Sequence, residues 1–103
     1  MSVQEFEALF KSSIQKLTFI HEAPLFYEGQ FLSGVYFIKK GKVFFTKKKT
    51  LQLSLCENHI IGIGPIMNSE EANQNAIVEK NSEILFVSKI EALKKMKQLT
   101  INL

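Results

Sequence analysis

The middle of this chain carries its densest apolar pattern. Val35-Tyr36-Phe37-Ile38 and Val43-Phe44-Phe45 are continuous runs of β-branched and aromatic residues, the composition of buried strands. Lys39-Lys40-Gly41-Lys42 lies between them, and a short polar segment with a glycine between two such runs predicts a hairpin. Gly29 and Gly34 precede the hairpin at positions expected to need positive φ or a tight turn. Beyond it, Leu51, Leu53 and Leu55 alternate with Gln52 and Ser54, predicting a strand with three leucines inward. Shorter apolar runs predict further strands at Thr18-Phe19-Ile20, Leu25-Phe26-Tyr27, Ile60-Ile61, Ala76-Ile77-Val78-Glu79 and Ile84-Leu85-Phe86-Val87. Pro24 cannot donate to a ladder, so it is expected at a strand edge or bend.

The ends of the chain change to the helical period. Phe6, Phe10, Ile14 and Leu17, with Leu9 beside them, make one apolar stripe and predict a helix over residues 2–17. Ser2 and Glu5 have capping-box spacing at its start. The stripe is expected to dock on the sheet, with a dimer or partner face as the alternative. Ser88 and Glu91 repeat the spacing before a second helix, whose apolar side is Ile90, Leu93, Met96 and Leu99. Pro65 suits the first position of a short helix over 65–72, or Ser69 caps a turn at Glu70-Glu71. The elements compose one domain over residues 1–103: helix, seven or eight short strands, helix.

Composition narrows the chemistry. The chain has 103 residues, 46% hydrophobic, with nine phenylalanines, enough for a real core. It has no 18-residue apolar run and no basic leader followed by an apolar stretch, so neither a membrane span nor a secretory signal is expected. Cys56 is the only cysteine, which suits a reducing compartment and makes the cytoplasm the expected location. All thirteen basic residues are lysine and all ten acids are glutamate. Chemistry that needs a guanidinium fork or an aspartate is thereby excluded.

The candidate constellations are weak. The six lysines between Lys39 and Lys49 hint at nucleic acid, but they sit at predicted hairpin tips, where lysine guards strand edges. Without arginine or interleaved aromatics, a nucleic-acid partner is not expected. Cys56-x-x-His59 is half a zinc site, and His21 is the only other histidine, so no metal or other cofactor is expected and Cys56 reads as a buried thiol. No nucleophile–base pair stands out, and Glu70-Glu71 are adjacent rather than on one helix face, so the chain does not read as an enzyme.

Glu22-x-Pro24-Leu25-Phe26-Tyr27-Glu28-Gly29, followed by Ser33-Gly34-Val35-Tyr36-Phe37-Ile38-Lys39-Lys40-Gly41-Lys42-Val43, resembles the cyclic nucleotide-binding domain family. The resemblance covers nearly the whole chain. It implies an eight-stranded antiparallel β-roll, a jelly roll or double-stranded β-helix, flanked by helices. It also implies a phosphate-binding cassette after the sixth strand, with a glutamate for the ribose and an arginine for the cyclic phosphate.

At the cassette the chain departs from the family. Gly62, Ile63, Gly64, Pro65 and Ile66 occupy the turn and short helix, with Ile63 where the glutamate is expected. Gln74 stands where the arginine is expected, ahead of Asn75 and Ala76, and Pro65 removes one backbone donor. These eight residues form the candidate, degenerate ligand site. The expectation is a regulatory or sensor domain that has lost ordinary cAMP and cGMP binding, and acts as an interaction module or senses another ligand. The alternatives are a genuine nucleotide sensor using Gln74, Asn75 and Lys80, and a cupin-like metal enzyme short of ligands. A homodimer through the apolar helix positions Phe6, Phe10, Leu99, Ile101 and Leu103 is also expected.

Overall fold

The structure is a computed structural model that describes the backbone of residues 1–101 and the side chains of residues 1–97. Its elements are α1 (Val3–Phe10), a 3-10 turn (Lys11–Ser13), β1 (Ile14–Phe19), β2 (Ala23–Phe26), β3 (Gly34–Lys40), β4 (Val43–Lys47) and β5 (Thr50–Leu55). They continue with β6 (Ile60–Ile61), α2 (Ile63–Asn68), β7 (Asn75–Val78), β8 (Ser82–Ser88) and α3 (Lys89–Ile101). Residues 34–38 of β3 are all buried, as the apolar run requires. All eight strands are antiparallel, in two four-stranded sheets of order β1-β8-β3-β6 and β2-β7-β4-β5. The pairings nest, β1 with β8, β2 with β7, β3 with β6 and β4 with β5, so the chain forms the β-roll flanked by helices.

The expected hairpin between β3 and β4 is instead a corner between sheets. β3 pairs with β8 and β6, whereas β4 pairs with β7 and β5. The connection from β7 to β8 makes the reverse change of sheet beside it, so each strand finds its ladder in the returning ribbon. Glu79 N–H donates to Lys42 O at 2.9 Å, tying the two corners together. Gly41 turns the corner at φ +99°, a conformation that favours glycine. Gly34, by contrast, is not at positive φ. A Cβ there would lie 2.1 Å from Val87 O, so the residue is glycine because β8 passes too close for a side chain.

The first helix is shorter than its apolar stripe. The capping box is present: Glu5 N–H donates to Ser2 Oγ at 3.1 Å, and Ser2 N–H to Glu5 Oε1 at 3.0 Å. Lys11, at φ +41°, ends the helix. Ile14 and Leu17 therefore lie on β1, opposite Val87 and Ile84 of β8. Three residues apart on a strand, they point to opposite faces, and each is still partly buried against the core, so their fit to the helical stripe is a coincidence of spacing. Phe6 is fully buried and stacks on Phe37 of β3 with centroids 4.7 Å apart, and Phe10 is buried beside it. These two residues are core and not a dimer face; the side chains of Leu99, Ile101 and Leu103 lie outside the described residues.

Three other expectations are corrected. Leu51 and Leu53 are 60% and 50% exposed, and only Leu55 is half-buried. Leu53 shares a face with the buried Val43 and Phe45, whereas a bulge at Gln52 sets Leu51 opposite Thr46 on the other face; β5 is the edge strand of its sheet and its neighbours leave most of it uncovered. In α3, Ile90 is 75% exposed, while Ala92, Leu93 and Met96 pack inward. At the start of α3, Glu91 N–H donates to Ser88 Oγ at 3.5 Å, half of the expected capping box, but the Glu91 carboxylate accepts from Ser13 Oγ at 3.2 Å instead of completing it. Pro24 does lie on an edge strand, β2. No described helix is long and apolar enough to cross a membrane.

Candidate ligand cavity

Between the two sheets, next to α2, lies a cavity of about 220 Å³. Phe26, Phe45 and Leu55 form its wall on one sheet, and Ile60 and Ile61 on the other, with Leu32 closing one side. Gly62 and Pro65 reach it from the start of α2, and Ala72, Asn73 and Gln74 from the segment before β7. Gly62 is the N-cap of α2, at φ +103°. Pro65 is the third helical residue rather than the first; its missing N–H falls in the first turn, where no intrahelical partner exists. Ser69 ends the helix in a left-handed conformation rather than capping a second turn.

The segment after α2 is strapped to the loop between β2 and β3. Gly29 N–H donates to Ala72 O and Ala72 N–H to Gln30 O, both at 2.8 Å, and Phe31 bridges Glu71. This buries Ala72 and holds Asn73 and Gln74 at the cavity.

Of the eight candidate residues, the structure brings Gly62, Pro65 and Gln74 to the cavity wall. Ile63 instead lines a second, apolar cavity of about 120 Å³ with Phe6 and Val35. Gly64 is exposed, and Ile66 is buried in the core. Asn75 is engaged elsewhere: its Oδ1 accepts from Glu28 N–H at 2.9 Å, and its Nδ2 donates to Thr46 Oγ1 at 3.4 Å. Ala76 is fully buried in β7, in register with Phe26 on one side and Phe45 on the other. The wall residues Phe26, Leu32, Phe45, Leu55 and Ile60 were visible in the sequence only as core. Asn73 carried no signal beyond its place before Gln74.

The electrostatics are simple. None of the residues lining the cavity carries a charge. Glu28 is exposed and pairs loosely with Lys47 at 3.7 Å, a contact worth little at the surface. Burial raises the Tyr36 hydroxyl pKa above its ordinary value, and a hydrogen bond with Ser33 partly offsets the rise. Cys56 is exposed, not buried, because its turn projects past β5; His59 Nδ1 donates to Cys56 O at 3.0 Å. Among the described residues, no three of histidine, cysteine and glutamate come together as metal ligands.

No family model matches the chain, and no curated protein does. Solved structures match it throughout. The catabolite activator protein of Thermus thermophilus superposes with a TM-score of 0.77 at 19% identity, over 97% of this chain and 49% of that one. The regulatory domain of Toxoplasma gondii PKA, crystallised with cAMP, gives 0.73 at 14% identity, over 82% and 34%. The fold is that of the cyclic nucleotide-binding domain. The sensor domain of the transcriptional regulator DNR from Pseudomonas aeruginosa gives 0.74 at 13% identity, over 88% and 67%. The chain spans about half the length of the Thermus protein and about a third of the Toxoplasma one. As a cyclic nucleotide-binding fold, this chain has an uncharged cavity beside α2.

Proposed function

We propose that this chain is a regulatory sensor module on a cyclic nucleotide-binding fold. It has given up the charged grip on a cyclic phosphate, and its cavity takes a small uncharged molecule. One observation carries the reading: the neutral Gln74 lines the cavity where the resemblance placed an arginine, and no residue on the wall is charged. A hydrogen bond to a charged group is worth about 1.5–3 kcal/mol. Losing both the arginine and glutamate contacts costs on the order of 3–6 kcal/mol, about two to four decades in affinity. No lysine lines the cavity to supply a charge in its place, and a lysine is a point charge without the bidentate fork. An engineered cavity of about 150 Å³ with a leucine, isoleucine and phenylalanine lining binds benzene, so the volume here suits a compact aromatic or alicyclic molecule. Asn73 and Gln74 supply amide groups to orient it.

Isothermal titration of the full chain with cAMP and cGMP tests this reading. No saturable binding is expected at concentrations up to about 1 mM, the affinity equivalent of about −4 kcal/mol. A micromolar dissociation constant for either nucleotide overturns it. The second reading, a live cyclic nucleotide sensor, draws on the Gln74 amide at the cavity; against it, the Asn75 amide is already bonded to Glu28 and Thr46. That reading expects a nucleotide to raise the melting temperature, since a ligand of the native state must stabilise it.

A further inference from the structure

Leu32 reaches the ligand cavity from the loop between β2 and β3, and that loop is anchored on both sides of it. Before it, Ala72 N–H donates to Gln30 O at 2.8 Å and Phe31 bridges Glu71. After it, Lys89 N–H, at the start of α3, donates to Ser33 O at 2.8 Å. The side chain is buried and lies against the start of α2: a Cβ on Gly62 would sit 2.7 Å from Leu32 Cδ2. Glycine at that position leaves the room that Leu32 fills. An apolar side chain fixed by backbone contacts on both flanks makes a firm wall, and a firm wall sets the size of what fits beside it.

We propose that Leu32 determines which molecules the cavity admits, and that the class admitted is an aromatic amide of about nine non-hydrogen atoms, one ring with its amide. A cavity of about 150 Å³ holds the six carbons of benzene. In the same proportion, a cavity of about 220 Å³ holds about nine such atoms. The ring is suited by Phe26 and Phe45, two aromatic side chains on one wall, since aromatic pairs gain beyond the area they bury. The amide is suited by Gln74. Its side chain lines the cavity and makes no hydrogen bond among the described residues, whereas Asn75 is bonded to Glu28 and Thr46. A carboxamide offers the acceptor and the donor that match those of glutamine, and a plain hydrocarbon would strip water from Gln74 without replacing it. A second fused ring adds four carbons and meets Leu32; alanine at that position removes three, and the space is continuous with the cavity because Leu32 lines it. The inference rests on the uncharged cavity proposed above and names which neutral molecule it takes.

Benzamide and naphthamide differ by one fused ring, and NMR titration of the full chain reads both. The wild-type chain is expected to prefer benzamide by at least about tenfold, the discrimination an apolar pocket makes against added carbons. Leu32→Ala is expected to move the ratio of the two dissociation constants at least about tenfold toward naphthamide. Both constants are measured on one protein, so a general loss of stability cancels from the ratio. Where Leu32→Ala melts too low to titrate, Leu32→Val, which removes a single carbon, is expected to move the ratio in the same direction. Gln74→Met is expected to weaken benzamide at least about tenfold more than toluene, which has no amide to pair. Equal affinity of the wild-type chain for the two amides overturns the proposal. So does an unchanged ratio in the Leu32 variants, or saturation by neither amide. A Gln74→Met variant that weakens toluene as much as benzamide overturns the amide assignment. Micromolar binding of cAMP or cGMP overturns the uncharged reading itself, so the two fail by different measurements.

Discussion

Gly41 and Ser82 meet where two strands change sheets in opposite directions. A Cβ on Gly41 would lie 2.0 Å from Ser82 Oγ and 2.9 Å from Ser82 Cα, and Gly41 itself holds φ +99°. Ser82 is fully buried, and its hydroxyl accepts from Lys42 N–H at 3.3 Å. The polar group inside the roll is therefore satisfied by the corner that it packs against.

Gly41→Ala is expected to lower stability by about 3 kcal/mol, since it combines left-handed strain with a backbone clash. Ser82→Ala is expected to cost about 1 kcal/mol through the Lys42 N–H left without its acceptor. Urea denaturation of both variants checks the order. Equal midpoints would show that the corner yields where the contact says it does not.

Phe6→Ala tests whether α1 belongs to the core. Phe6 is fully buried against Phe10 and Phe37, so truncation is expected to cost about 3–5 kcal/mol, a large share of the roughly 5–15 kcal/mol typical of a domain. A loss under about 1 kcal/mol would mean that the helix docks only loosely, since surface substitutions cost that little.

Lys48 and Lys49 form the two-residue turn between β4 and β5, both with positive φ, at 50° and 63°. Such turns favour Asn-Gly, and L-residues other than glycine pay for this conformation. Lys48→Asn with Lys49→Gly is expected to stabilise the fold by about 1–2 kcal/mol, some 4–8 °C in melting temperature per kcal/mol.

The Glu57 carboxylate accepts from its own N–H and from that of Gly41, the latter at 3.1 Å, with a smaller contribution from the charge on Lys42. These contacts lower its pKa below the ordinary glutamate value. Because the folded pKa lies below the unfolded one, their stabilisation is present above the ordinary glutamate range. It is lost as pH falls through the lowered value. A carboxyl NMR titration is expected to place the Glu57 midpoint below that of the unfolded chain. Equal midpoints would remove the contact from solution.

Much of the fold was legible because burial follows composition. Val35–Ile38, Val43–Phe45 and Ile84–Val87 read as strands and are strands, and Ser2 with Glu5 marked a real helix start. The end of that helix was not legible, since Ile14 and Leu17 continue the helical stripe in the sequence, and only pairing with β8 shows that they lie on a strand. The cavity was half legible. Gly62, Pro65 and Gln74 follow from the order of elements, whereas the Asn75 amide is drawn off by Glu28 and Thr46, which lie far away in sequence.

The residue inventory by itself determined which charges this protein can place anywhere: no guanidinium and no aspartate, hence no bidentate hold on a phosphate. It also determined which side of each strand is apolar, because side chains alternate with a period of two. Only the tertiary structure decided what covers each apolar side. Leu51 and Leu53 alternate in the sequence like core residues, yet a bulge at Gln52 turns Leu51 to the face of Thr46, and both stand at a sheet edge in solvent. Alternation is a local property of one strand, and burial depends on which other strand lies above it.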